Sequence, residues 1–442
     1  MWSIRFLVSY SIFIAIVTIL FGKFNDGGWY TLAALSIKSG AQPFIDFHYP
    51  HTPHFAYFLS KILHLCPESI HPVLYLRFFC VIIWLISVLL TIALVKKENY
   101  RLLMILILCQ PYQIYFLCII KCYGVIQLLL LFVLFLQNTH WKSFSGFLVG
   151  LILAIRISTP ASLALMPSTN KLWSWFLLIL ALTSLIPAIK MGLLDHWFLP
   201  IQHFGLEINS FNKFYLDKFH EPLGIQWSRK IGYLIKSFIM WSPFILIALY
   251  AKNLKVLFLL IINILLHVCL ARPLDEYSCF FLLPCAVMLC NSKIDVPKFF
   301  YTISLIVFIT QLDRFNNRLV LHQSQILKLQ ALKLKGSVFS LDAYIQSNYF
   351  KSYDKRQTLG HFSIFETWSD EFCQRKNVFN NNTLKNHILN RKFDWVITTD
   401  TQVQSIGLKS LLRNYKLAKK IPTMLEQNED LLIYKNLSSN SK

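Results

Sequence analysis

The residues best suited to chemistry gather in one stretch, Asn25 to Leu63, which reads NDGGWYTLAALSIKSGAQPFIDFHYPHTPHFAYFLSKIL. Asp26 stands beside Gly27 and Gly28, and such glycines let a backbone approach a ligand closely. Trp29 and Tyr30 follow, with flat faces that suit a sugar ring or a membrane-interface belt. Asp46 lies in a proline-constrained turn of the same stretch. A partly desolvated carboxylate can act as general base toward a hydroxyl. The bland reading of each aspartate is a solvated loop residue. His48, His51 and His54 surround Pro50 and Pro53. Their spacing is compatible with a divalent metal, but no further ligand is indicated and the prolines break any helix. Hydrogen bonding to a phosphate or sugar, or interfacial packing, is the preferred reading, and no metal or other cofactor is assigned.

Two further groups could hold an anion. Arg272, Asp275, Glu276 and Tyr277 close an apolar run, where charged residues are functional candidates by default. An arginine fork suits a phosphate. The bland alternative is a local salt-bridged turn among Arg272, Asp275 and Glu276. Lys121 and Tyr123, between two apolar runs, form a second candidate phosphate site.

These residues need a scaffold, and the composition says which kind. Of 442 residues, 55% are hydrophobic and 15% charged, against about 25% charged in soluble domains. Apolar runs near the roughly 20 residues that span a bilayer recur along the chain. The expectation is an α-helical polytopic membrane protein of about eleven spans, followed by a small C-terminal α/β domain. The membrane domain covers 1–312, with a first loop at 23–72 and a second polar loop at 190–229. The tail covers 313–442. The apolar N-terminus reads as an uncleaved first span, Ser3 to Gly22. Later spans include Val73 to Val95, Leu102 to Ile119, Tyr123 to Leu136, Ile231 to Tyr250, Val256 to Leu270, Ser278 to Leu289 and Phe299 to Leu312. Phe144 to Ile155 and Ser158 to Met166 form a short pair around Arg156, and Leu172 to Ile189 makes another span. Within the first loop, Trp29 to Ser39 reads as a helix ended by Gly40, and His54 to Leu65 as an amphipathic interfacial helix.

The net charge of +21 is spread over lysines and arginines that flank the spans, which argues against nucleic acid. Arg5, Lys96, Lys97, Arg101, Lys142, Lys171, Lys252, Lys255, Lys293 and Lys298 fall on one set of ends, placed in the cytoplasm by the positive-inside rule. That puts the first loop and the tail outside. In the tail, Leu319 to Lys335 reads as a basic amphipathic helix. Gly336 to Leu341, Trp395 to Thr398 and Leu431 to Tyr434 read as strands, and Thr401 to Arg413 as a helix. Ten cysteines, mostly within apolar runs and without a CxxC pair, read as small buried hydrophobes.

The first loop carries the pattern Asp26, Tyr30, Gly40, Pro43, Phe44, Asp46, Phe47, Tyr49, Pro50 and Pro53. It resembles the first extracytoplasmic loop of GT-C glycosyltransferases, the group of protein O-mannosyltransferases and aminoarabinose lipid A transferases. Arg272 to Pro284, RPLDEYSCFFLLP, is similar to a late segment of these enzymes. The resemblance implies a GT-C-like fold in the cytoplasmic membrane and a sugar donor carried on a polyprenyl phosphate. It implies inversion at the anomeric carbon with Asp26 as base, Asp46 placing the acceptor or serving as a second acid. Trp29, Tyr30, His48, His51, Lys121, Arg272 and Tyr277 are the substrate-binding candidates. Gly27 follows the aspartate where many relatives have an acid, and Pro50-His51-Thr52-Pro53 replaces a Lys-Pro-Pro. The phosphate partner is therefore open among His51, Lys121 and Arg272. The acceptor is an envelope lipid, glycan or protein. The alternatives are a non-enzymatic flippase of a lipid-linked sugar and a polysaccharide assembly protein.

Overall fold

The computed structural model describes residues 2–22, 25–43, 46–47, 53–67, 70, 72–137, 139–156, 159–165, 173, 175, 179, 223–268, 275–292, 296–319, 334, 336–340, 370–375, 380–405, 407–421 and 430–437. The chain divides into two compact units, Met1–Gly22 with Arg77–Leu319, and Lys23–Leu76 with Val320–Lys442.

The first unit is helical because its segments are apolar all round. In chain order the helices before the second loop are α1 (Trp2–Phe21), then α2 (Asn25–Lys38) and α3 (His54–His64), which belong to the second unit, then α4 (Pro72–Leu94), α5 (Tyr100–Leu108), α6 (Pro111–Cys118), α7 (Tyr123–Gln137) and α8 (Ser145–Ile155). After it come α9 (Leu223–Tyr250), α10 (Leu254–Val268), α11 (Leu282–Cys290) and α12 (Lys298–Asn316). Among the described residues, Trp2–Phe21, Pro72–Leu94 and Lys230–Tyr250 are long and apolar enough to cross a membrane.

Several expected spans take a different form. The run Leu102 to Ile119 is not one straight helix: it bends by 81° between α5 and α6. Pro111 opens α6 at its first position, where its missing N–H costs nothing. The buried Gln110 side chain at the break donates to the Met240 carbonyl at 2.7 Å. The expected span from Ser278 begins as a 3-10 turn, Asp275–Phe281, before α11. The run from Ser158 gives only a 3-10 turn, Pro160–Leu165. The helix expected from Ile231 starts at Leu223, inside the predicted second loop. The remainder of that loop, the run Leu172 to Ile189 as a whole and the basic stretch after Leu319 lie outside the described residues.

Within the first unit, α1 packs on α5 and α6, α6 on α12, α7 on α8, and α9 on α10 and α12. The buried Arg77 donates to the carbonyls of Ile19 at 3.2 Å and Gly22 at 3.0 Å, satisfying the end of α1. At Gly124, a Cβ would stand 2.8 Å from the Leu117 carbonyl oxygen. The corner between α6 and α7 therefore closes only around a glycine.

In the second unit, α2 and α3 pack together. Gly40 follows α2 at φ +89°, the left-handed stop expected of it. The amphipathic α3 buries Phe55, Leu59 and Leu63. Lys38 donates to the Leu63 carbonyl at 2.7 Å and caps α3. The tail holds four strands, β1 (Val338–Ser340), β2 (Trp395–Thr399), β3 (Tyr415–Ile421) and β4 (Leu431–Asn436), in the order β1-β2-β4-β3. The β1–β2 pair is parallel and the others antiparallel. Asp394 ties the start of β2 to β1 by accepting from the Ser337 amide at 2.8 Å. A helix, Asn381–Leu389, covers the sheet through Leu384 and Ile388. Asn380 and Thr383 form its capping box. The helix expected from Thr401 to Arg413 is instead a six-residue α-helix, Asp400–Ser405, and a 3-10 turn, Leu411–Asn414, separated by Gly407 at φ +66°.

Gly124→Ala must push the Leu117 carbonyl away, so we expect a loss of about 1–3 kcal/mol. Thermal unfolding of the detergent-solubilised protein measures it.

Candidate functional site

The most polar part of the helical unit is built around a turn. After α6 the chain runs through Ile119, Ile120, Lys121 and Cys122 into α7, and every one of these residues is buried. Lys121 is 4% exposed. Its ammonium meets Glu276 of the 3-10 turn at 2.6 Å. The Tyr123 hydroxyl donates to the same carboxylate oxygen at 3.2 Å. A buried pair of this kind persists only where the geometry is close and other hydrogen bonds support it. Two nearby bonds hold the same elements: Asn263 to Ser278 at 2.9 Å, and the Leu283 amide to Gln127 at 3.3 Å.

Arg156 joins from α8. The helix ends at Ile155, and Arg156 leaves it in an extended conformation. Its guanidinium lies 4.9 Å from the ring centroids of both Tyr123 and Tyr277. It also points toward the Cys122 sulfur at 3.8 Å. Arg156 and Tyr277 are only half-buried, so solvent or a ligand can reach this edge of the cluster, and Arg314 and Arg318 at its other end are half-buried as well.

On the other side the cluster continues as alternating cations and rings. Lys121 lies 5.3 Å from the Phe116 centroid and Arg318 5.7 Å from it. Arg318 donates to the Tyr112 hydroxyl at 3.2 Å. Arg314 sits 4.3 Å over the Tyr112 ring. Ring faces attract cations, by about 2 kcal/mol when desolvated, yet they carry no net charge. The named side chains thus supply four cations, Lys121, Arg156, Arg314 and Arg318, against the carboxylate of Glu276. Such a cluster favours an anion at its open edge.

Of the sequence candidates, this cluster gathers Lys121 and Tyr277. It adds Arg156 and Glu276, which the sequence did not single out for these roles. The signal was present in Arg156, an arginine set between two apolar runs. Glu276 was read as part of a local turn, whereas its partner Lys121 stands 155 positions away. The side chain of Arg272 lies outside the described residues, as do His48 and His51. In the other unit, Asp26 occupies the first turn of α2, with its side chain and that of Trp29 outside the described residues. Tyr30 is 5% exposed and packs edge-on against Phe55 at 5.1 Å. Its ring is part of the α2–α3 interior rather than an open face for a sugar. Asp46 accepts from the Gln42 amide at 2.7 Å and so fixes the turn it sits in. Among the described residues, no group of three His, Cys, Asp or Glu is placed to hold a metal ion.

No protein-family model matches the sequence, and no curated protein matches it. Solved structures do. The chain is similar to ArnT from Cupriavidus metallidurans bound to undecaprenyl phosphate, with a TM-score of 0.63 at 9% identity over 98% of both chains. The apo form of the same protein gives 0.59 at 10% identity, again over 98% of both. The chain shares its fold with ArnT. ArnT is an aminoarabinose lipid A transferase of GT-C fold, the group the first-loop pattern resembles. The likeness extends beyond that loop to nearly the whole chain.

Removing one partner of the buried pair leaves the other charged and unpaired. Glu276→Ala is therefore expected to destabilise by about 3–5 kcal/mol, whereas the double replacement Lys121→Met with Glu276→Leu regains most of that. Melting temperatures of Glu276→Ala, Lys121→Met and the double variant decide it, and additive losses would contradict a coupled pair.

Proposed function

We propose that the protein is an integral-membrane glycosyltransferase that takes a sugar from a polyprenyl-phosphate carrier and transfers it to an envelope lipid, glycan or protein. One observation carries this reading: the fold likeness over 98% of both chains to ArnT, which was solved with undecaprenyl phosphate bound. The cation-rich cluster supports it, because a lipid donor of this class presents a phosphate.

In this reading the donor phosphate takes the half-buried edge of the cluster, with Arg156 as its fork and Lys121 adding positive potential behind it. The acceptor hydroxyl attacks the anomeric carbon and passes its proton to Asp26. The bond from that carbon to the phosphate oxygen breaks, and its electron pair stays on the phosphate. A single displacement inverts the anomeric centre. Cations fixed before the reaction stabilise the charge that grows on the leaving phosphate, without reorganising as it develops. Asp46 places the acceptor, and Trp29, His48, His51, Arg272 and Tyr277 contact substrate. The site faces outward from the cytoplasmic membrane, with the first loop and the tail on that side.

Substitutions at two positions test separate parts. Asp26→Asn is expected to slow transfer by about 10²-fold or more while leaving undecaprenyl phosphate binding intact. Release of free polyprenyl phosphate from lipid-linked sugars in native membranes reports the rate, and full activity in a folded variant would remove Asp26 from the role. Arg156→Ala is expected to weaken undecaprenyl phosphate binding at least about tenfold, and Arg156→Lys to recover only part of it, because an ammonium lacks the bidentate fork. Equal affinity in all three proteins would take the phosphate away from Arg156.

A further inference from the structure

Glu276 works against the proposed site if anion affinity is its only purpose. The carboxylate is 8% exposed and held by Lys121 at 2.6 Å and by the Tyr123 hydroxyl at 3.2 Å. The Tyr123 ring bearing that hydroxyl is the one on which Arg156 rests. A fixed negative charge therefore stands one aromatic ring behind the half-buried guanidinium of Arg156. Arg318 and Lys121 both lie against the Phe116 ring. Any anion at Arg156 feels Glu276 through a medium of low dielectric, and the repulsion scales with the charge of that anion.

The transfer step changes that charge. The donor is a phosphodiester with one negative charge. Breaking the bond between the anomeric carbon and oxygen leaves a phosphomonoester, whose second ionisation lies near pH 6. At neutral pH and above, the product carries close to two charges where the donor carried one. We propose that Glu276 tempers the charge preference of this site, weakening the doubly charged product more than the singly charged donor and so promoting product release. The proposal rests on the glycosyltransferase reading above. Lys121 and Tyr123 act as positioning residues that keep the carboxylate in place, and Glu276 itself acts through Arg156 rather than by touching substrate. At an effective dielectric of about 20 and a separation of about 10 Å, one carboxylate weakens binding by about tenfold for each charge on the ligand.

The test uses two probes, undecaprenyl phosphate and its methyl ester, which is a diester with one charge at any relevant pH. Binding of both to the purified full chain in detergent is measured at pH 8 for the native protein, Glu276→Gln and Glu276→Asp, with melting temperatures recorded alongside. In Glu276→Gln the monoester is expected to gain about tenfold more affinity than the methyl ester, whereas Glu276→Asp keeps the native ratio. An unmoved ratio in folded Glu276→Gln would overturn the proposal. A counter-ion with a merely structural role would lower the melting temperature without moving the ratio. Should Glu276→Gln not fold, the monoester-to-methyl-ester affinity ratio is compared between Lys121→Met with Glu276→Leu and Lys121→Met alone, two proteins that differ by the same carboxylate. The double variant is expected to favour the monoester by about tenfold more. Equal ratios overturn the proposal. A native protein that binds neither probe overturns the donor-site reading and this inference together. One that binds both with an unmoved ratio overturns the role of Glu276 alone.

Discussion

An ammonium and a carboxylate buried together in an apolar helical bundle constrain this structure more than any other contact. Either charge alone would cost several kcal/mol in such surroundings. Lys121 and Glu276 therefore fix each other, and they fix the turn between α6 and α7 against the 3-10 turn that precedes α11. Other features follow from that junction. Gly124 is required because the corner closes tightly on Leu117. Gln127, one helical turn beyond Tyr123, reaches the Leu283 amide and continues the same seam. Tyr123 then offers its hydroxyl to the carboxylate and its ring to Arg156.

The breaks in the helices belong to the same design. Backbone polar groups inside a bilayer must be satisfied within the protein, so irregular backbone is tolerated only where protein buries it or where it lines a cavity. Here the irregular segments coincide with polar side chains. The bend before Pro111 is served by Gln110, the 3-10 turn at Asp275–Phe281 carries Glu276 and Tyr277, and the end of α8 releases Arg156. A bundle of straight spans would have no place for these groups.

What the sequence made legible followed from local rules. The long apolar runs at Trp2–Phe21 and Pro72–Leu94 declare themselves by length, and α3 by its one apolar face. The end of α2 was readable from Gly40. Three strands of the tail were readable from short apolar runs between polar ones. The strand Tyr415–Ile421 was not, because its five interior residues are exposed and three of them are lysines. Its pairing with β4 supplies what its composition does not. The helix Asn381–Leu389 is held by a capping box and by Leu384 and Ile388 rather than by a long apolar stripe. The run Leu102 to Ile119 looked like one span because hydropathy averages over Pro111. The candidate site was the least legible part. Lys121 and Tyr277 could be flagged one at a time, but a carboxylate and a lysine 155 positions apart give no local sign of pairing. The first loop drew attention by its motif, and the structure shows Tyr30 packed against Phe55 and one oxygen of Asp46 accepting from the Gln42 amide.

The central claim is that the open edge of this cluster receives a lipid phosphate. A structure of the protein in lipid nanodiscs with undecaprenyl phosphate tests it most directly. The account predicts phosphate density within hydrogen-bonding distance of the Arg156 guanidinium, with the Lys121–Glu276 pair still formed behind Tyr123. Phosphate density elsewhere, with Arg156 still resting on Tyr123 and Tyr277 and touching no ligand, would contradict it.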